Sequence, residues 1–186
     1  MLPLIAAACM ALTFKSPTRQ DAPAPSTHQI RANYLITAAD DFIVNVYLNG
    51  QPVPDEKRAL LEERYGATVE RINVEVHRGD WLVFNVVNNR LRWGGARYFA
   101  LAGCFALNEF GFVSDRASRQ WSACDNPADA GRFIARKAFR SRQPAQVVDN
   151  PWTDGDVLMR VHAGENWSGT PLWGKERNTW IKVIIE

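Results

Sequence analysis

Residues 38–50 read AADDFIVNVYLNG. Two adjacent acids precede a run of β-branched and aromatic residues, and Asn-Gly closes it. That composition marks a strand, and Asn49-Gly50 supplies the positive-φ pair of a tight hairpin. Asp40 and Asp41 then have two readings. Short Asp side chains bond nearby backbone N–H groups and fix a turn at a strand entrance. Carboxylate oxygens also suit Ca²⁺, which takes six to eight ligands. The sequence shows two of them, so the turn reading leads and Asp40 and Asp41 stand as candidate calcium ligands.

Outward from this stretch the same texture recurs. The segments IRANYLITA (30–38), VERINVEVH (69–77), WLVFNVVN (81–88), YFALAGCFAL (98–107) and WIKVIIE (180–186) are short, β-branched and aromatic, and bounded by turn residues. In VERINVEVH, Val69, Ile72, Val74 and Val76 alternate with Glu70, Asn73, Glu75 and His77, with one slip at Arg71. This is the period of a half-exposed strand. Helical signal is sparse. DEKRALLEERYG (55–66) has an acidic start after Pro54, two central leucines and a closing glycine, which predicts a short helix. NPADAGRFIARKAF (126–139) predicts a second, with Asn126 as N-cap and Pro127 in the first turn. The expected fold is all-β, a jelly-roll sandwich with one or two short helical insertions.

Ahead of residues 30–186, which form the expected domain, lie two different segments. Residues 1–14 are signal-like, and their apolar run at 2–12 is too short to span a bilayer. Residues 15–29 form a Pro/Ser/Thr-rich linker with Pro17, Pro23 and Pro25. A basic region before the apolar run is missing. Ala6-Ala7-Ala8-Cys9 resembles a lipoprotein cleavage box, so Cys9 is a candidate lipidation site. Export is the expectation; a cytoplasmic tail is the alternative. Setting Cys9 aside leaves Cys104 and Cys124, an even pair that an oxidising compartment permits as a disulfide. Two buried free thiols are the other reading.

The net charge of +2 is too small to argue for a nucleic-acid surface. His28, His77 and His162 lie far apart, and no His-x-x-x-His, Cys-x-x-Cys or phosphate-loop pattern occurs. Catalysis is therefore not expected, although a glycan hydrolase needs only two carboxylates brought together by the fold. Seven Trp residues suit a β-rich core or aromatic platforms for a ligand.

In their order, four stretches resemble the galactose-binding-like jelly-roll modules attached to bacterial glycoside hydrolases. Ala39-Asp40-Asp41 and Tyr47-Leu48-Asn49-Gly50 match the entry pattern, with one residue more between them than is usual. VEVHRGDWLVFNVVNN (74–89) keeps Gly79 and Asn89 and has Trp81 where Asn is commoner. FVSDRASRQWSAC (112–124) is similar to a Ser-Asp-x-x-Trp segment, with three extra residues before Trp121. PLWGKERNTWIKVII (171–185) resembles the closing strand. The resemblance spans residues 30–186. It implies a β-sandwich and carbohydrate recognition, although many such modules only pack against a neighbouring protein domain.

Sugars are gripped by an aromatic face on their C–H surface and by planar polar groups that read hydroxyls. NNRLRWGGARYF (88–99) collects those types around Gly94-Gly95. Asn88, Asn89, Arg92, Trp93, Arg97 and Tyr98 are the candidate ligand-binding residues, and Trp167 in GENWSGTPLW (164–173) is a second exposed-loop candidate. The competing reading makes Trp93 a cap on the sandwich end, because Trp is so often buried. Asn166-Trp167-Ser168 also forms a glycosylation sequon. The expected function is an exported, non-catalytic carbohydrate-binding module with no transmembrane span and no nucleic-acid partner. A structural or protein-interaction module of an envelope or extracellular assembly is the alternative.

Overall fold

The computed structural model describes residues 31–64, 66–88, 97–105, 110–115, 120–135, 143–144 and 153–186. Cys9 and both N-terminal segments fall outside this set. The strands in chain order are β1 (Arg31–Ala32), β2 (Tyr34–Asp40), β3 (Phe42–Leu48), β4 (Gln51–Pro52), β5 (Arg58–Arg64), β6 (Ala67–Ile72), β7 (Val76–His77), β8 (Trp81–Val87), β9 (Tyr98–Cys104), β10 (Phe110–Val113), β11 (Trp121–Cys124), β12 (Gln143–Pro144) and β13 (Asn178–Ile184). Helix α1 (Pro127–Ile134) follows β11, and α2 (Thr153–Ala163) precedes β13.

Two antiparallel sheets make the sandwich. One runs β10-β9-β2-β6-β5, the other β12-β11-β13-β8-β3-β4, and β1 pairs with β7 apart from both. The all-β reading is therefore correct, and the strand order is compatible with a jelly roll. Between the sheets lie Leu35, Ala39, Ile43, Val46, Ile72, Leu82, Val86, Leu101, Ile181 and Val183. Phe84 and Phe99 meet there at a centroid distance of 5.0 Å. Each sheet also buries part of its outer face. Ile36, Ala38, Val69 and Ala100 pack under Leu158, Met159 and Ala163 of α2, while Val83, Cys124 and Trp180 pack under Ala130 and Phe133 of α1. Covered on both faces, β2 reads as a nearly continuous apolar run, as strands buried on both sides do.

The local signals are realised unevenly. Asn49 (φ 53°) and Gly50 (φ 81°) form the tight hairpin between β3 and β4, the positive-φ pair that the sequence predicts. Helix α1 starts as expected, with the Asn126 side chain accepting from the Ala128 N–H and Pro127 in the first turn. The expected helix over 55–66 is not formed. A single 3₁₀ turn (Asp55–Lys57) gives way to β5, which pairs with β6. Arg58 explains the outcome. Its guanidinium donates to both carboxylate oxygens of Glu70 at 2.9 Å and to the carbonyls of Ile43 and Val44. These charge-assisted bonds tie the chain to both sheets and outweigh a helix propensity of a few tenths of a kcal/mol per residue.

Helix α2 was not expected. Its Gly155 lowers the helical signal, yet glycine is required there, because a Cβ would lie 2.6 Å from the ring of Tyr98. No helix among the described residues is long and apolar enough to cross a membrane.

The disulfide is a correction. Cys104 and Cys124 are both buried and unbonded. Cys104 belongs to the cluster beneath α2 and Cys124 to the cluster beneath α1. These are opposite outer faces of the sandwich, so the two thiols have the whole core between them. Burial pushes the Cys104 thiol up to about 11 and raises that of Cys124 as well.

Candidate functional site

Of the residues singled out in the 88–99 loop, the structure describes Asn88, Arg97 and Tyr98, and each has a partner within the protein. Asn88 closes β8 and is buried. Its backbone N–H donates to the Arg177 carbonyl at 2.9 Å, and its Nδ2 donates to Asp40 Oδ2 at 3.3 Å. Arg97 is half-buried, with Nη1 donating to the carbonyl of Lys175. Tyr98 is 0% exposed and its hydroxyl donates to Asp156 Oδ1 at 2.7 Å. Burial first, and then that carboxylate, holds the phenol far above its ordinary range. Tyr98 is thus core, and this corrects its assignment to a surface loop.

Trp167 is corrected likewise. It is 3% exposed and packs with α2, and its Nε1 donates to the Leu101 carbonyl at 3.4 Å. A glycine-rich polar neighbourhood made it look exposed, but the helix that buries it had left no clear trace in the sequence. Asn89, Arg92 and Trp93 lie outside the described residues.

Asp40 and Asp41 sit where the chain leaves one sheet for the other. Asp40 ends β2, and the Asp41 N–H donates to the Val87 carbonyl in the second sheet at 3.0 Å. Burial, then the charge of Asp41 and the hydrogen bond to it, pushes the Asp40 carboxyl up to about 7; the bond from Asn88 works in the opposite direction. Among the described residues no three His, Cys, Asp or Glu side chains gather in a way that could hold a metal ion. Two carboxylates, one of them already accepting from Asn88, do not make up a calcium shell of six to eight oxygens.

A different constellation lies on the outer face of the six-stranded sheet. Residues opposite one another on antiparallel strands share a face. Phe42, Val87 and Asn178 form one cross-strand row, and Asn45, Asn85 and Trp180 form the next. The register irregularity between Ile43 and Asn45 is decisive. In a regular strand Phe42 and Asn45 would point to opposite sides, but one extra residue at Val44 turns both outward. The following row, with Tyr47, Val83 and Lys182, lies under α1, where Lys182 Nζ donates to the Phe133 carbonyl and stands over the Phe133 ring.

The geometry of the two rows suits a flat polar ligand. Phe42 is 39% exposed, and Asn45 and, across β8, Asn178 are exposed on the same face. Asn85 is buried between them; its Nδ2 donates to Asn178 Oδ1 at 2.5 Å and to the Thr179 carbonyl at 3.3 Å. Asn85 thereby fixes the Asn178 amide and leaves the Asn178 N–H₂ group to donate outward. None of the six side chains in the two rows carries a charge. What the face offers is one aromatic surface and two exposed amides, each able to donate and to accept.

Nothing local in the sequence marked this set. Asn45, Asn85 and Asn178 are far apart along the chain, and only the β3-β8-β13 order brings them together. Comparison with protein-family models, with curated proteins and with solved structures returns no match.

Proposed function

We propose that this chain is a non-catalytic carbohydrate-binding module of the galactose-binding-like kind, working after export. In this reading the ligand is a neutral saccharide lying on the outer face of β3, β8 and β13. One observation carries it: an exposed Phe42 ring shares a sheet face with Asn45 and, across β8, with Asn178, which Asn85 holds in orientation. The ring takes the C–H face of a sugar, and the amides read its hydroxyls with paired donors and acceptors. The absence of charge from the two rows favours a neutral glycan over an acidic one. Among the described residues those two rows also hold no carboxyl to donate a proton to a glycosidic oxygen, which supports binding without turnover. The resemblance of residues 30–186 to glycoside-hydrolase-associated modules and the signal-like residues 1–14 support the same setting.

Retention on insoluble polysaccharides and a glycan array test the proposal. The wild type is expected to bind at least one neutral glycan. Phe42→Ala and Asn178→Ala should each weaken binding by on the order of tenfold, about the worth of one good contact. Binding that survives both substitutions places any glycan elsewhere, and a wild type that retains no glycan ends the carbohydrate reading.

A further inference from the structure

Among the described residues, β5 is the last strand of its sheet, so its outer row of backbone donors and acceptors faces away from β6. Such edges template pairing with another strand unless charge or irregularity blocks them. This one presents Leu60, 60% exposed, and Leu61, 40% exposed. We propose that β5 pairs antiparallel with β5 of a second copy of the chain, so that the five-stranded sheets of two molecules join into one across a two-fold axis.

Charge and face select this occupant. Through their partners on β6, Arg58, Leu60 and Glu63 lie on the sandwich-interior side of β5, opposite Ile72, Glu70 and Thr68. Ala59 and Glu62 lie on the α2 side, opposite Arg71 and Val69. The register irregularity between Leu60 and Glu62 marks Leu61 as the extra residue. A two-fold axis through Leu61 would oppose Arg58 and Arg64, which are like charges on opposite faces.

An axis between Leu60 and Leu61 behaves differently. It sets Arg58 against Glu63 of the second copy, Ala59 against Glu62, and Leu60 against Leu61, each pair then repeated by symmetry. Faces match on both flanks, no like charges meet in these pairs, and the small Ala59 leaves room for Glu62. The two extra residues meet at the axis, so the irregularity that would misalign an ordinary strand is shared by both. An isologous seam requires this kind of self-complementarity.

Helix α2 lies on the same side of the seam in both copies. His162 Nε2 and Glu62 Oε2, 2.8 Å apart, hold α2 beside β5. One turn apart on that helix, Val157 is 52% and Val161 68% exposed. The two-fold brings the second α2, with its own exposed valines, over the same face of the joined sheet.

Sedimentation equilibrium of the full chain, with amide hydrogen exchange of residues 58–64, tests the proposal. The expected result is a species of twice the chain mass that dissociates on dilution, with exchange across β5 accelerating as it does. Leu60→Lys and Glu63→Arg are expected to raise the dissociation constant by at least about tenfold each, leaving circular dichroism unchanged, and Tm unchanged at concentrations where the wild type is monomeric, because both side chains are exposed. A chain that stays monomeric at about 1 mM, the weak end of specific association, overturns the proposal. So does a dimer that both variants leave intact, and so does a monomer whose β5 gains protection only from a foreign peptide.

Discussion

Replacing Gly155 by alanine separates two effects of opposite sign. In a free helix the change stabilises by roughly 1 kcal/mol, because glycine loses more backbone freedom on folding. Here the new Cβ would lie 2.6 and 2.7 Å from ring carbons of Tyr98, against about 3.5–4.0 Å for a comfortable carbon contact. One partner must yield by about 1 Å. Tyr98 cannot, since it is fully buried and its hydroxyl is bound to Asp156. Helix α2 must lift instead, loosening Leu158, Met159 and Ala163.

Overpacking of this kind costs roughly 1–3 kcal/mol. Taking about 2 kcal/mol, the net loss is about 1 kcal/mol, or a fall in Tm of about 2–4 °C for a domain of this size. Differential scanning calorimetry of Gly155→Ala reads it directly. In a Tyr98→Leu background the obstruction is gone, and the same substitution should raise Tm. The double-mutant cycle isolates the coupling. A rise in Tm on Gly155→Ala with Tyr98 in place would refute the packing of α2 against β9.

Tyr98→Phe should cost about 1 kcal/mol through the lost bond to Asp156 and leave glycan retention unchanged; weakened retention would return Tyr98 to ligand contact. The Asp40 carboxyl is raised from 3.8 to about 7 in the folded chain, so its stabilising contribution is complete below the unfolded value and is lost as pH rises through 7. Asp40→Asn should remove that decline, measured by urea denaturation at about pH 5 and pH 8; equal declines in both proteins would contradict the assignment. Cys104 and Cys124 should resist alkylation in the native state and react once the chain is unfolded, and a linked peptide pair in the unreduced protein would show the faces to be wrongly assigned. Export should leave a mature chain that begins after the apolar run at 2–12, read by N-terminal sequencing of fractionated cells; a full-length cytoplasmic product would exclude it.

Much of the sandwich was legible because its signals are local. Leu82, Phe84 and Val86 alternate along β8, Asn49-Gly50 dictates its hairpin, and Asn126-Pro127 opens α1 at the expected residue. Where a local pattern met a long-range contact, the contact won. Leu60-Leu61 looked helical, but Arg58 reaches Glu70 and two carbonyls of β3, and the segment becomes a strand. Tyr98 and Trp167 looked like loop aromatics because the helix covering them carries a glycine in its first turn. The amide face was hidden for a further reason. It needs an extra residue at Val44 to reverse one side of β3, and three strands that are not consecutive in the chain.

The placement of β13 has a consequence for biosynthesis. This strand sits between β11 and β8, yet 90 residues separate the end of β8 at Val87 from its start at Asn178. At about 5–20 residues per second a ribosome needs roughly 5–18 s to deliver it. Throughout that interval β8 can pair with β3 on one side only, and the apolar inner side of the sheet is without Ile181 and Val183. Pairings this distant close slowly even in a finished chain. The nascent protein therefore presents a sticky, half-dressed strand to its surroundings for seconds, and the yield of folded material should depend on holding factors and on slow, cool expression more than on the stability of the finished sandwich.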